Sequence, residues 1–383
     1  MAEAAAQRIV IASDKFKGSL SSKEAGTAIA QGFGHVFPHA SIEVVPIADG
    51  GEGTIEALLT AQGGTRMART VSGPQGESVR SFFALLGGGD VAVVELAQAS
   101  GLNLVSAGSN DPRTATTFGT GQLVAAAIDA GARRIVLAVG GSATNDAGAG
   151  ALSALGARFC DAAGEELARG GGALGELTRI DLRALRARLR GVTIDVACDV
   201  TNVLCGPDGA SAVYGPQKGA TPRAVAALEG ALDRFSRVAA DTTGIDVRDL
   251  AGSGAAGGTA GGFVALAGAN IVSGAALVLE AVRLPQRLRG ANLVVTGEGV
   301  LDSQSLEGKA PFAVARAAMT AGVPAVALVG TIACDNSRLA AIGIRTAATI
   351  VPGPMSLKDA LSDARLLLRD AAQRLASAIA LDL

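Results

Sequence analysis

The sequence predicts an α/β chain: a doubly wound parallel sheet assembled from both chain ends, with a second α/β domain inserted between them. Two observations carry this. Short apolar runs alternate with helix-period segments at both ends. The 52 glycines, roughly twice the usual share of about 7%, fall in short clusters beside those runs, as tight strand-to-helix turns require. The boundaries this implies are 1–65 and 289–383 for the sheet domain and 66–288 for the insertion.

The elements follow in order. "RIVIAS" reads as a buried strand. Ser21-x-x-Glu24 is a capping box, and Ala25, Ala28, Ile29 and Phe33 recur at helical spacing until Pro38 ends the helix. "IEVVPIAD" is a second strand and "TIEALLTAQGG" a second helix. In the middle, "DVAVVELA", "RRIVLAVGG" and "VTIDVACDV" are strands and "TGQLVAAAIDAG" is a helix. "AGSGAAGGTAGGFVALAGA" reads as a glycine loop followed by a closely packed helix. At the end, "ANLVVTGEG", "PAVALVGTI" and "TAATIVPG" are strands, with "PFAVARAAMTAG" a helix between two of them. One last helix opens at Ser356 and lines Leu361, Ala364, Leu368, Ala371, Leu375 and Ile379 along one face.

Composition narrows the function. Of the 383 residues 49% are hydrophobic but only 3% aromatic, and the formal net charge is −2. A nucleic-acid binder needs a basic footprint or stacking aromatics, and neither is present. The four cysteines form no CxxC pair, which fits buried thiols in a reducing compartment. No apolar run reaches the roughly 18 residues of a membrane span, and the N-terminus lacks a signal-peptide pattern. The expectation is a soluble, cytoplasmic protein. With only His35 and His39, both near Pro38, a Ser-His-Asp triad is disfavoured. Any base must be Asp, Glu or Lys.

In open α/β sheets ligands bind beyond the carboxyl ends of strands. Here those ends read "SDKFKGSL", "ADGGEGT", "GGSATNDAG", "CDVTN" and "GEGVLDSQSLEGK". "DGGEGT" pairs Asp49 with Glu52 across glycines. It fits a helix cap, an anion cradle at a helix N-terminus, or carboxylates for Mg²⁺ or a substrate proton. "GGSATND" combines Gly140 and Gly141 with Ser142, Asn145 and Asp146, suited to phosphate. No Walker A loop occurs. "GEGVLDSQSLEGK" holds Glu298, Asp302 and Lys309, the oxygen ligands and cation that phosphoryl transfer needs, or a surface salt bridge. Gly252-x-Gly254-x-x-Gly257 matches a dinucleotide fingerprint without a good strand before it.

These loops together resemble the bacterial-type glycerate kinase family, the one that typically makes 2-phosphoglycerate. The stretches are "IVIASDKFKGSL", "VPIADGGEGT", "TTFGTGQL", "GGSATNDAGAGAL", "ACDVTNVLCG", "GPQKGA", "GAAGG" and "TGEGVLDSQSLEGK", in family order. The chain departs at Ser13 and Val203, where proline is common, and at Lys15, where serine is common. The resemblance implies ATP and Mg²⁺ as cosubstrates and D-glycerate as acceptor. It also implies a flavodoxin-like lobe from both chain ends, an inserted lobe related to the restriction-endonuclease fold, and a cleft between them; a homodimer is left open.

The assignment on this basis has Asp49 or Asp199 as base, Asp14 orienting a lysine or hydroxyl, and Lys309 as phosphate clamp. Lys17, Ser19, Arg113 and Glu52 bind the substrate. Gly119, Thr120, Gly121, Gly140, Gly141, Ser142, Asn145 and Asp146 bind the nucleotide, and Glu298 and Asp302 hold the metal. Two rivals are a nicotinamide-dependent hydroxy-acid dehydrogenase, which shows an absorbance change without ATP, and an acid-binding sensor, which releases no ADP.

Overall fold

The computed structural model describes residues 7–106, 108–301 and 308–380. Along the chain run strands β1 (Arg8–Ile11), β2 (Ser41–Val44), β3 (Gly64–Ser72), β4 (Ser78–Leu86), β5 (Val91–Glu95), β6 (Arg134–Ala138) and β7 (Arg158–Cys160). They continue as β8 (Arg179–Asp181), β9 (Thr193–Ala197), β10 (Asn270–Val272), β11 (Leu293–Leu301), β12 (Ala325–Ile332) and β13 (Ile344–Thr349). Two compact units result. Unit one comprises Met1–Asp49, Glu56–Ala61 and Ala275–Leu383; unit two comprises Gly50–Ile55 and Gln62–Gly274. No described helix is long and apolar enough to cross a membrane.

Unit one is a five-stranded sheet in the order β13-β12-β11-β1-β2, every pair parallel. This is the doubly wound, flavodoxin-like order, and it joins the first strand of the chain to the late strand β11, with Ile9 beside Leu293. The order reverses between β1 and β11. Buried Ile9, Ile11, Phe33, Val295, Leu328 and Leu368 form its core. The Ser22–Val36 helix starts on its capping box: the Ser21 hydroxyl accepts from the Glu24 amide at 3.3 Å, and the Glu24 carboxylate accepts from the Ser21 amide at 2.9 Å. Phe37 caps it one residue before Pro38.

The expected single helix from Ser356 is in fact two, Leu357–Ser362 and Ala364–Ile379. Ser356 caps the first, and the chain leaves helical geometry at Asp363. Leu357 is 74% and Leu361 37% exposed, so no core holds the first turns in line with the second helix. The apolar face begins at Ala364.

Unit two carries a six-stranded sheet, order β10-β9-β6-β5-β4-β3, parallel from β10 to β5 and antiparallel at β4 and β3. A small antiparallel pair, β7 and β8, stands apart from it. The glycine-rich segment is the helix Ala255–Ala267, entered through left-handed residues Ala256, Gly257 and Gly258. Phe263 on that helix is fully buried in the unit's core with Phe83, Leu123, Ile135 and Phe235.

Candidate active site

At the switch point of unit one, Asp14 follows β1, and its amide donates to the Gly297 carbonyl of β11 at 2.9 Å. The local chain folds tightly around it. The Lys15 amide donates to Asp14 Oδ1 at 2.7 Å, and Ser13 Oγ donates to the Gly297 carbonyl. Lys15 Nζ lies 3.2 Å from Asp49 Oδ1 and 3.8 Å from Asp14 Oδ2, so one ammonium bridges the acids that follow β1 and β2. Glu298, on β11 and 7% exposed, adds a third carboxylate within electrostatic reach of Asp14, and Lys309 adds a second cation acting on Asp49.

These surroundings push the two aspartates apart. Burial raises Asp14 to about 8; the Lys15 charge opposes this, while Asp49 and Glu298 reinforce it. Burial acts to raise Asp49 as well, but the charge and hydrogen bond of Lys15, together with Lys309, outweigh it and hold Asp49 below the usual carboxylate range. Lys17 is exposed. Ser19 Oγ donates to the Phe16 carbonyl at 3.1 Å and so closes the turn that presents Lys17. Asp302 lies outside the described residues.

Unit two treats its polar residues differently. Asp146 is fully buried and accepts from the Thr117 amide at 2.8 Å, Thr117 Oγ1 at 2.9 Å, and the amides of Gly148 at 3.2 Å and Gly150 at 3.3 Å. Asn145 Nδ2 donates to Ser211 Oγ, and Thr120 Oγ1 pairs with Ser100 Oγ at 2.8 Å, all buried. A Cβ on Gly119 would stand 1.8 Å from the Ser72 carbonyl oxygen, and one on Gly121 2.2 Å from that of Ala151. The Asp146 bonds and the two close glycines pack the start of the Phe118–Asp129 helix, and Asn145 is tied to the Ala210–Tyr214 helix. Gly141 is exposed and Gly140 and Ser142 adjoin it. Asp199 accepts from Ser273 Oγ at 2.7 Å. Arg113, exposed, forks onto Asp111 within its own turn, with Nη2 to Oδ2 at 2.7 Å. The element before Gly252 is the helix Pro222–Thr243 rather than a strand, and a Cβ on Gly254 or Gly257 would meet the carbonyl oxygen of Val203 or Thr144 at 2.1 Å. That apparent fingerprint is packing.

A family model described as the glycerate kinase family matches residues 9–380. The chain belongs to the glycerate kinase family. It is 46% identical over 374 residues to the glycerate kinase of Bacillus subtilis strain 168, covering 98% of each chain. It is 41% identical to the glycerate 2-kinase of Escherichia coli K12, again over 98% of both. A solved structure described as a glycerate kinase 2 of Salmonella typhimurium LT2 superposes with a TM-score of 0.82 at 43% identity, covering 98% of this chain and 99% of that one.

Two buried ionic residues of this glycerate kinase family chain escaped the sequence reading. Glu95, 2% exposed, closes β5. Its position, an acid ending an apolar strand, is the signal that singled out Asp14. Lys218, in "GPQKGA", is 3% exposed and donates from Nζ to the Thr144 carbonyl at 2.7 Å. Burial lowers its pKa to about 7, with Asp146 pulling the other way.

The donor chemistry suits Mg²⁺. That ion takes one or two carboxylates and fills its remaining positions with water and substrate phosphates. Among the described residues Glu298, 7% exposed on β11, supplies one such carboxylate. Among the described residues no group of three or more His, Cys, Asp or Glu could cage a metal by itself.

Proposed function

We propose that this chain transfers the γ-phosphoryl group of ATP to D-glycerate, with the 2-hydroxyl as acceptor and 2-phosphoglycerate as product. The observation that carries the reading is the Asp14–Lys15–Asp49 bridge at the switch point, flanked by Glu298 and Lys309, in a chain of this family. The Escherichia coli relative is named for the 2-position, which supports that choice of hydroxyl.

The residues divide the work as follows. Asp49, kept ionised by two cations, accepts the hydrogen bond of the attacking hydroxyl and aims its lone pair. Positioning dominates in such a role because the transition state is loose. Lys15 holds Asp49 in place through its 3.2 Å contact, with Asp14 Oδ2 standing 3.8 Å from the same ammonium. Lys17, on its exposed turn, takes the glycerate carboxylate. Lys309 neutralises charge on the transferring phosphoryl oxygens. Glu298, with Asp302, holds Mg²⁺, which when bound offsets charge on the triphosphate. Gly140, Gly141 and Ser142 contact nucleotide phosphate.

Phosphorus NMR of a reaction with ATP and D-glycerate tests this. The expected spectrum shows ADP with a 2-phosphoglycerate resonance. A 3-phosphoglycerate resonance overturns the position, and ADP formation independent of glycerate overturns the acceptor.

A further inference from the structure

The Gly50–Gly53 loop enters the Thr54–Gln62 helix, and a helix start offers unpaired amides that invite an anion. Here the protein fills that seat itself. Glu95 Oε1 accepts from the Gly53 amide at 3.0 Å and from the Ile55 amide at 2.8 Å. Its Oε2 accepts from Gln98 Nε2 at 3.2 Å. Both oxygens of a buried carboxylate are thus committed, and substrate anions are excluded from these two donors. The same loop is pressed from its other side: the Gly140 amide donates to the Gly50 carbonyl, and a Cβ on Gly140 would stand 2.6 Å from Gly51 Cα. A Cβ on Gly141 would lie 3.6 Å from Glu52 Oε1, so the Glu52 carboxylate rests beside the turn after β6.

We propose that Glu95 is a positioning residue: by taking both amides at the helix start it fixes the 50–53 loop and holds the Glu52 carboxylate against the Gly140–Gly141 turn. A buried carboxylate is costly unless hydrogen-bonded, and three donors repay part of that cost. A glutamine at 95 offers one amide oxygen to the same two N–H groups; it loses the charge and turns an NH₂ towards Gln98 in place of the Oε2 acceptor. An alanine leaves the donors without a partner.

The kinetic half of this proposal rests on the kinase reading; the structural half does not. Hydrogen exchange of the 50–58 segment is measured in folded wild type, Glu95→Ala and Glu95→Gln. Exchange in Glu95→Ala is expected to rise at least about tenfold, against less than about threefold in Glu95→Gln. Glu95→Asp withdraws the carboxylate by one methylene and gives the intermediate result, so the test stands even where the alanine variant does not fold. Unchanged exchange in folded Glu95→Ala or Glu95→Asp overturns the clamp. In steady state, Glu95→Ala is expected to lower kcat/KM for D-glycerate about tenfold, with Glu95→Gln within about threefold of wild type. In a Glu52→Ala background the same change should cost less than about twofold. Losses that multiply overturn the action through Glu52. A wild type that forms no ADP with glycerate overturns the kinase reading and leaves the exchange result to decide the clamp.

Discussion

In unit one a single ammonium, Lys15, serves two carboxylates and shares the neighbourhood with Glu298 and Lys309. In unit two a single carboxylate, Asp146, is served by four donors of its own chain; Thr120 Oγ1 is paired with Ser100, and Asn145 donates through Nδ2 while its Oδ1 has no partner. Both regions read alike in sequence: glycines, acids and hydroxyls after an apolar strand. The first gathers ammonium and carboxylate groups of both signs at two strand ends. The second commits its buried carboxylate to donors of its own chain, although Thr144 Oγ1 and Asn145 Oδ1 beside it are buried without a partner. A motif's residue types announce a polar strand end; the hydrogen-bond inventory says whether it serves chemistry or architecture.

The contrast breaks most readily at Asp146. Asp146→Ala strands the Thr117, Gly148 and Gly150 amides in the interior and is expected to cost about 3 kcal/mol of stability. Activity per folded molecule should stay within about threefold of wild type. Denaturant melts read the first figure, and kcat at a temperature well below the midpoint reads the second. A large loss of kcat with unchanged stability would move Asp146 into the chemistry and erase the distinction.

Gly121→Ala probes the same side more gently. The new methyl meets the Ala151 carbonyl 2.2 Å away, and the overpacking should cost about 2 kcal/mol with KM for ATP unchanged. A raised KM for ATP at wild-type stability would return the 119–121 segment to the nucleotide.

Lys218 sharpens the comparison through pH. Its folded pKa, about 7, lies below its unfolded value near 10.5, so the unfolded chain binds the extra proton between those limits. The wild-type protein therefore gains stability as pH rises from 7 towards 10 and has gained none below 7. Lys218→Met removes this gain. Thermal midpoints of both proteins between pH 6 and 9.5 should diverge in favour of wild type by up to about 1.4 kcal/mol per pH unit above 7. Parallel curves would mean that the ammonium stays charged in the fold.

Much of this was legible beforehand, for physical reasons that particular residues show. The inner strands of unit one, "RIVI" and "LVVT", are runs of β-branched residues buried on both faces, and such runs declare themselves. Strands β3 and β4 did not. β3 is an exposed edge carrying Arg66 and Arg69, with little apolar periodicity to detect. β7, β8 and β10 are three residues each, too short to carry a pattern. The break at Asp363 was hidden because Leu361 keeps helical spacing with Leu368 although it is 37% exposed and Leu368 is fully buried. At the strand ends, sequence gave the candidates but not their saturation. Asp14 and Asp146 look equivalent as letters, and only their partners separate them. Glu95 went unremarked although it ends its strand as Asp14 follows its own, because its partners come from residues about forty positions earlier in the chain.

On the proposed mechanism the charges after β1 and β2 do the chemistry, with Asp49 as acceptor. Steady-state turnover of Asp49→Asn with ATP and D-glycerate, read beside its thermal midpoint, tests it most directly. The account predicts a fall in kcat of about 10²–10⁴ with the midpoint held within about 2 °C of wild type. A kcat within twofold of wild type would contradict it.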